Sequence, residues 1–361
     1  MKIQNQGFDH IEFIVGDLSK HSLMWEKMGF ECIGKRDSKK SGIESVVMSQ
    51  GLTRIILSRV TDLKAAGNDP RVAFHERHGD GICVLALDVE NSEEFYQETT
   101  KRGARSAMKP ERFESALGSV VRSEVYTPED IRFAFIERKQ NKSNTTGPAL
   151  FDQDLEVSTL KSPSPFNLKL VDHLTNNVDM GQYKTWSEYY QKVFGFNITR
   201  HYKISTGRTG LISDVMQSAD FKIKVPINEA TERESQVQEF VDRFKGAGVQ
   251  HLALFTTDIL DTLKKLRENG FKFLSVPPSY YKEVPTRVPG VTEDLAELEK
   301  NGILLDGEGE GYLLQIFSEE LVGPFFLEFI QRKGNQGFGE GNFKALFQAI
   351  ERDQFKRGTL K

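Results

Sequence analysis

Two periodicities alternate along the chain, and their order repeats. Runs such as Phe8-Asp9-His10-Ile11-Glu12-Phe13-Ile14-Val15, Gly81-Ile82-Cys83-Val84-Leu85-Ala86-Leu87 and Tyr312-Leu313-Leu314-Gln315-Ile316-Phe317 have the length and β-branched content of buried strands. After His251 to Phe255, the residues Ile259, Leu260, Leu263 and Leu266 fall at helical spacing, and Phe95, Tyr96 and Thr100 hold the equivalent place after Val84 to Leu87. Strand, helix, then several strands is an α+β plan. Near the C-terminus Phe343, Leu346, Phe347 and Ile350 stand at i, i+3, i+4 and i+7, which predicts a terminal helix with one apolar face and no counterpart in the first half.

Three segment pairs recur in the same order. Phe8 to Asp17 matches Val171 to Asp179, Gly81 to Asp88 matches Gly248 to Phe255, and Phe133 to Lys139 matches Leu327 to Lys333, at offsets of 163, 167 and 194 residues. That is a duplicated unit with an insertion before the last pair. The polar, Ser/Thr/Pro-rich stretch between the halves reads as a linker. The expected organisation is a first domain over 1–140, a linker over 141–166 and a second domain over 167–361. The extra length of the second half falls in Pro277 to Gly311, whose Pro and Gly punctuation predicts a surface insertion without a regular element.

Composition narrows the functional classes. At 361 residues the length fits about two domains. The balance of 48 basic and 52 acidic residues contains no basic block able to track a phosphate backbone, so nucleic acid is excluded as a partner. Apolar runs such as Leu321 to Ile330 are half the ~20 residues of a bilayer span, so no membrane helix is expected. Met1 to Phe8 lacks the pattern of a secretion signal, and cytoplasmic residence follows. Cys32 and Cys83 form no Cys-x-x-Cys pair and no disulfide framework. The aromatic content is skewed, with 26 Phe against 9 Tyr and 2 Trp.

Comparing the halves singles out one chemical site. His173 faces His10 in the repeat, but opposite His251 stands Val84, and opposite Glu328 stands Ala134. The second half therefore carries a His, His, Glu set that the first half lacks at two of three positions. Two imidazoles and one carboxylate suit Fe(II) and leave positions open for substrate and dioxygen, although such donors accept several divalent ions. Glu328 interrupts Phe325-Phe326-Leu327 and Phe329-Ile330, where a carboxylate is costly to bury without a cation or hydrogen bonds. The alternatives are a half-exposed strand histidine at 173 and a strand that turns Glu328 to solvent. Strand alternation puts Gln315 and Phe317 on one face, with Gln315 bonding either a substrate oxygen or nearby backbone. Gly337-Phe338-Gly339-Glu340-Gly341 lacks the spacing, strand and acidic partner of a dinucleotide loop.

At these residues the chain resembles the 4-hydroxyphenylpyruvate dioxygenases of the vicinal-oxygen-chelate superfamily. The resemblance is carried by Val171 to Val178, Gly248 to Ala253, Gly302 to Gly307, Leu313 to Ser318, Phe326 to Gly334 and Gly337 to Phe347, and it is looser in the first half. It implies a duplicated vicinal-oxygen-chelate fold: two domains of paired βαβββ units forming open β-barrels, plus a C-terminal gating helix. It implies one Fe(II) per chain on His173, His251 and Glu328, with His10 structural. Ser213, Pro226, Asn228, Gln236, Gln250, Gln315, Phe317, Phe338 and Phe343 would then contact substrate. Local turn or strand-end hydrogen bonding remains the rival reading for Ser213 and Asn228, and ordinary packing for the three Phe.

The implied reaction uses 4-hydroxyphenylpyruvate and O2, the 2-oxo acid group being part of the substrate. Decarboxylation, ring hydroxylation and side-chain migration give homogentisate and CO2, in tyrosine and phenylalanine catabolism. A homo-oligomer, dimer or tetramer, is expected. The same scaffold also serves 4-hydroxymandelate synthases, extradiol dioxygenases and non-catalytic binding proteins. Pro226, Asn228 and Phe317 look like the homogentisate-forming pattern.

Overall fold

The computed structural model describes residues 3–115, 118–140, 149–152, 155–159, 162–308, 311–343, 345, 351, 354–355 and 358. The first half contributes β1 (Ile3–Ile14), β2 (Glu31–Arg36), β3 (Ile43–Gln50), β4 (Thr53–Val60), β5 (Gly81–Val89), β6 (Ser106–Ser115), β7 (Gly118–Tyr126) and β8 (Arg132–Gln140). Two short strands follow, β9 (Ala149–Asp152) and β10 (Leu155–Val157). The second half contributes β11 (Leu168–Val178), β12 (Asn197–Ser205), β13 (Gly210–Gln217), β14 (Lys224–Ala230), β15 (Gly248–Thr256), β16 (Leu304–Glu308), β17 (Gly311–Phe317) and β18 (Phe326–Lys333).

The two sheets have one wiring. In the first the order is β6-β7-β8-β5-β1-β4-β3-β2, extended by β10 and β9; in the second it is β16-β17-β18-β15-β11-β14-β13-β12. In both, the first strand of each βαβββ unit pairs in parallel with that unit's last strand, and the two first strands pair antiparallel at the centre. Helices start where the sequence supplies a cap directly after a strand. Asp17 accepts from Lys20 N, Asn91 from Glu94 N and Asp258 from Asp261 N, each satisfying an otherwise orphaned amide. The fourth equivalent helix, Tyr183–Tyr189, has Glu229 accepting from Tyr183 N and runs on into a π-helical turn over Tyr190–Phe194.

Two expectations change. The segment read as a linker is partly a sheet edge, because β10 pairs with β2, Glu156 opposite Lys35, and Leu155 and Val157 bury their side chains with Ile33, Val47 and Ile56. Pro277 to Gly311 is not irregular: it holds helices over Pro278–Arg287 and Leu295–Asn301 and the strand β16. Proline at the first helical position needs no donated bond, and burial of Tyr281, Val284 and Leu298 outweighs the break at Pro285. Of the terminal helix, residues 340–343, 345, 351 and 354–355 are helical; Leu346, Phe347 and Ile350 lie outside the described residues. No helix among the described residues is long and apolar enough to cross a membrane. Cys32 and Cys83 are free thiols.

A single apolar cluster runs through both halves. Its seam is aromatic. Phe13 meets Phe325 edge-on at 5.1 Å, Phe133 meets Phe194 at 4.7 Å, and the Phe244 ring stacks on His78 at 4.6 Å while the Phe244 carbonyl lies 2.7 Å from His78 Nδ1. Phe244 also packs close to the strand backbone at Gly81 and Gly248, where an added Cβ would lie 2.5 and 2.4 Å from ring carbons. Gly81→Ala is therefore expected to cost about 1–3 kcal/mol by overpacking. Urea denaturation would check it, and an unchanged midpoint would contradict the shared seam.

Candidate metal centre

The centre lies on the concave face of the second sheet, where β11, β15 and β18 run side by side. Strand register decides which residues meet there. Thr175 sits opposite His251, His173 opposite Ala253, and Ala253 beside Glu328, so His173 and Glu328 flank a small residue in one row with His251 in the next. His173 Nε2 lies 3.2 Å and His251 Nε2 3.5 Å from Glu328 Oε2, and one ligand atom from each residue falls within 4.8 Å of the others. Donors bound cis to one ion at ~2.1 Å stand ~3 Å apart, so the set needs only a slight drawing together to hold a metal. All three residues are buried, Glu328 with 1% exposure, which removes the solvent-facing reading of its strand.

Each of these three side chains is oriented by a partner. A register shift in β11 between Val171 and His173 marks a bulge at Asp172. It brings Asp172 Oδ1 to 2.9 Å from His173 Nδ1, leaving Nε2 aimed at Glu328. Asp172 accepts two 2.7 Å hydrogen bonds from Arg332 Nε and Nη2, and Arg332 Nη1 donates to the carbonyls of Asn335 and Gly337. On the other imidazole, Nδ1 lies 3.3 Å from Gln250 Oε1, and Gln250 Nε2 donates to Gln236 Oε1 at 2.7 Å. Thr175 Oγ1 stands 3.0 Å from His251 Nε2. Gln315 Nε2 donates to Glu328 Oε1 at 2.9 Å and to the Phe338 carbonyl at 3.0 Å, and Asn342 Nδ2 donates to Gln315 Oε1 at 2.8 Å.

The charges follow from these contacts. Burial opposes ionisation of Glu328, but the His173 imidazole beside it holds its carboxyl below the usual range. Burial likewise disfavours the charged His173, yet the Glu328 charge and the Asp172 hydrogen bond win and raise its pKa. His251 is pushed down to about 3 by burial, which keeps its imidazole neutral and its lone pair available. Burial works against Asp172 too, but Arg332 holds it well below the carboxylate range.

Around the donors is a cavity of about 40 Å³, lined by Thr175, Leu211, Pro226, Asn228, Gln236, Gln250, Phe317, Phe338 and Phe343 as well as the three donors. The rings pack on the imidazoles: Phe338 meets His173 edge-on at 5.3 Å, Phe317 meets His251 at 6.2 Å, and Phe326 stacks on His251 at 5.0 Å. Of the substrate positions expected from sequence, Pro226, Asn228, Gln236, Gln250, Phe317, Phe338 and Phe343 line this cavity. Ser213 does not line it but stands directly opposite Asn228 in β13, its buried Oγ without a hydrogen-bond partner among the described residues. Gln315 also lies behind the wall. Its amide hydrogens both go to protein oxygens, the Glu328 carboxylate among them.

Sequence reading passed over Asp172, Thr175, Arg332 and Asn342. For Asp172 and Arg332 a signal existed: Asp9 and Arg138 occupy the repeat-equivalent places and make the same paired bonds, 2.9 and 2.7 Å, beside His10. Thr175 shares a strand face with His173. Nothing in sequence marked Asn342. The glycines of Gly337 to Gly341 serve packing: a Cβ on Gly339 would lie 2.0 Å from Gln315 Oε1, and one on Gly341 2.2 Å from Arg287 Nη1. Asp172→Asn is expected to weaken metal binding about 10–100-fold by loosening His173, read by metal titration of the full chain; unchanged affinity would contradict that orienting role.

Comparison with known proteins follows the two halves. Residues 2–155 match the family model "Hydroxyphenylpyruvate dioxygenase, HPPD, N-terminal", and residues 171–284 that of the glyoxalase/bleomycin resistance protein/dioxygenase superfamily. The chain is 35% identical to 4-hydroxyphenylpyruvate dioxygenase of Pseudomonas aeruginosa, over 99% of this chain and 97% of that one. It is 35% identical to the 4-hydroxyphenylpyruvate dioxygenase of Legionella pneumophila strain Corby, over 98% and 96%. Among solved structures, a triple mutant of 4-hydroxymandelate synthase from Streptomyces coelicolor superposes with a TM-score of 0.83 at 23% identity, covering 98% of this chain and all of that one, a likeness of fold.

Proposed function

This chain belongs to the 4-hydroxyphenylpyruvate dioxygenase family, and we propose that it converts 4-hydroxyphenylpyruvate and O2 to homogentisate and CO2 with one Fe(II) on His173, His251 and Glu328. The observation that carries this reading is the convergence of two imidazoles and one buried carboxylate on a single point, in one half only among the described residues. A bound Fe(II) supplies the chelation of the 2-oxo acid group and the activation of dioxygen. The donor set fits it: two imidazole nitrogens and one carboxylate on one side leave the cavity side free for substrate.

The chain's own residues then bind, orient and keep the site dry. Leu211, Pro226, Phe317, Phe338 and Phe343 supply the apolar walls for an aromatic ring. Asn228, with the unpartnered Ser213 hydroxyl beside it, and the Gln236–Gln250 pair offer hydrogen bonds to the substrate's polar end. Excluding water protects a strongly oxidising reaction from side reactions, and no side chain has to move a proton. The cavity now has room for about one water molecule. A substrate needs more space than this, and two of the lining rings, Phe338 and Phe343, belong to the segment that begins the terminal helix. That segment is tied down by Tyr202, which donates to Glu340, and by Asn342 on Gln315.

Iron-loaded protein is expected to take up oxygen with 4-hydroxyphenylpyruvate and release homogentisate. Glu328→Ala should lose bound metal and lower kcat/KM by about 10³-fold or more. Oxygen uptake at the full rate in that variant would overturn the metal assignment. Release of 4-hydroxymandelate would overturn the product assignment while leaving the metal centre in place.

A further inference from the structure

The two oxygens of Glu328 have different surroundings. Oε2 faces the imidazoles, 3.2 Å from His173 Nε2 and 3.5 Å from His251 Nε2, whereas Oε1 accepts the 2.9 Å hydrogen bond from Gln315 Nε2. A carboxylate left free takes a metal with one oxygen or with both. Whatever keeps Oε1 occupied therefore helps to define the site.

A side-chain amide has a donor end and an acceptor end of nearly the same shape, so a tie through two amides holds only when something fixes which way each one faces. At the inner end the fixing groups are acceptors. Gln315 Nε2 meets Glu328 Oε1 and, at 3.0 Å, the Phe338 carbonyl, so Gln315 presents Oε1 to Asn342 Nδ2 at 2.8 Å. At the outer end they are donors: Asn342 Oδ1 lies 2.5 Å from the Tyr280 hydroxyl and 3.4 Å from both Arg287 Nη1 and Nη2.

A guanidinium has no acceptor to offer. The Tyr280 oxygen has none to spare, because it accepts from Leu305 N at 2.8 Å and from Arg287 Nη2 at 2.7 Å. Its hydrogen has two acceptors in reach, Asn342 Oδ1 and the Leu305 carbonyl at 2.7 Å, and Arg287 Nη2 competes for that carbonyl at 2.8 Å, which favours Asn342. An Asn342 amide turned over would point its hydrogens at donors. Asn342 and Gln315 are each 1% exposed, so water does not make up the loss. Tyr280, Arg287 and Asn342 do not line the cavity beside the three donors, and they reach Glu328 only through Gln315.

We propose that Arg287, Tyr280 and Asn342 are positioning residues of the metal centre: the donor-only guanidinium at the far end sets the direction of the two buried amides, so that Gln315 donates to Glu328 Oε1 and only Oε2 is left for the metal. This rests on the metal reading above. It gives the inserted helix over Pro278–Arg287, which carries both Tyr280 and Arg287, a part in metal binding.

The test is calorimetric titration of the metal-free full chain with Co(II), alongside urea denaturation of the same metal-free proteins. Asn342→Asp keeps an acceptor for Tyr280 and Arg287 but has no hydrogen for Gln315. Co(II) is expected to bind this variant about 10–100-fold more weakly, with weaker visible absorption as Glu328 Oε1 is freed to join Oε2, while the urea midpoint does not fall. Tyr280→Phe and Arg287→Met, which break the string farther out, should each weaken Co(II) by about threefold or more, and Arg287→Lys, which keeps a donor-only cation, should stay within about twofold of the unaltered chain. A tie that served stability alone would give the opposite, a lower midpoint with unchanged affinity, and that result overturns the proposal, as does equal affinity in Asn342→Asp. Should Asn342→Asp not fold, unchanged affinity in Tyr280→Phe overturns it. An unaltered chain that binds no Co(II) would overturn the metal reading and this inference with it, whereas binding lost in Glu328→Ala but equal in every outer variant would overturn this inference alone.

Discussion

Burying the Glu328 carboxylate in an apolar strand is the constraint from which the rest of the second half follows. A lone carboxylate in that position would be neutralised or expelled. Here it stays ionised because His173 and Gln315 meet its oxygens, and each of these must in turn be held. His173 leans on Asp172, Asp172 on Arg332, and Arg332 on the carbonyls of Asn335 and Gly337, which fixes the backbone just ahead of Phe338. Gln315 leans on Asn342, whose side-chain oxygen also receives the Tyr280 hydroxyl and faces Arg287, both from the inserted helix over Pro278–Arg287. One buried charge thereby places the rings that shut the cavity, and the insertion becomes a buttress for the segment that closes it.

Duplication explains why this frame looks redundant. The first half keeps the bulge before its histidine, the paired Asp9–Arg138 bonds and the Asp9–His10 contact. These hold the central strands together in either half and are independent of a metal. What differs is the next layer. Ala134 stands where the second half has the Glu328 carboxylate, and an arginine–glutamate network occupies the surrounding concave face, so one backbone carries two different kinds of polar cluster.

The phenylalanine excess has two destinations. Phe317, Phe326 and Phe338 pack on the imidazoles of His173 and His251, while Phe13, Phe133, Phe194, Phe244 and Phe325 build the seam that joins the two sheets. Rings serve such a seam well because each buries a large area and meets its neighbour edge-on or offset. The fit at Gly81 and Gly248 shows how little slack remains, so that the halves behave as one packed body.

The α+β plan, the duplication, the single-site asymmetry and the three candidate ligands were legible in the sequence because a repeat allows position-by-position comparison: His251 against Val84 and Glu328 against Ala134 are chemical contrasts that need no coordinates. Local rules also recovered the helices capped by Asn91 and Asp258. The rest was decided by pairing between distant segments. Asp172 reaches His173 only through a bulge, whose register shift is a property of two strands together. Gln315 was legible as a buried amide, but whether it faced substrate or ligand depended on β17 lying beside β18 and on Asn342 arriving from the terminal segment. The insertion's helices, punctuated by proline, are stabilised by burial against β16, which no local pattern records. Sequence determined which chemical groups the chain owns and on which strand faces they lie; tertiary structure decided which of them meet, because register and chain return bring together atoms that are far apart along the chain.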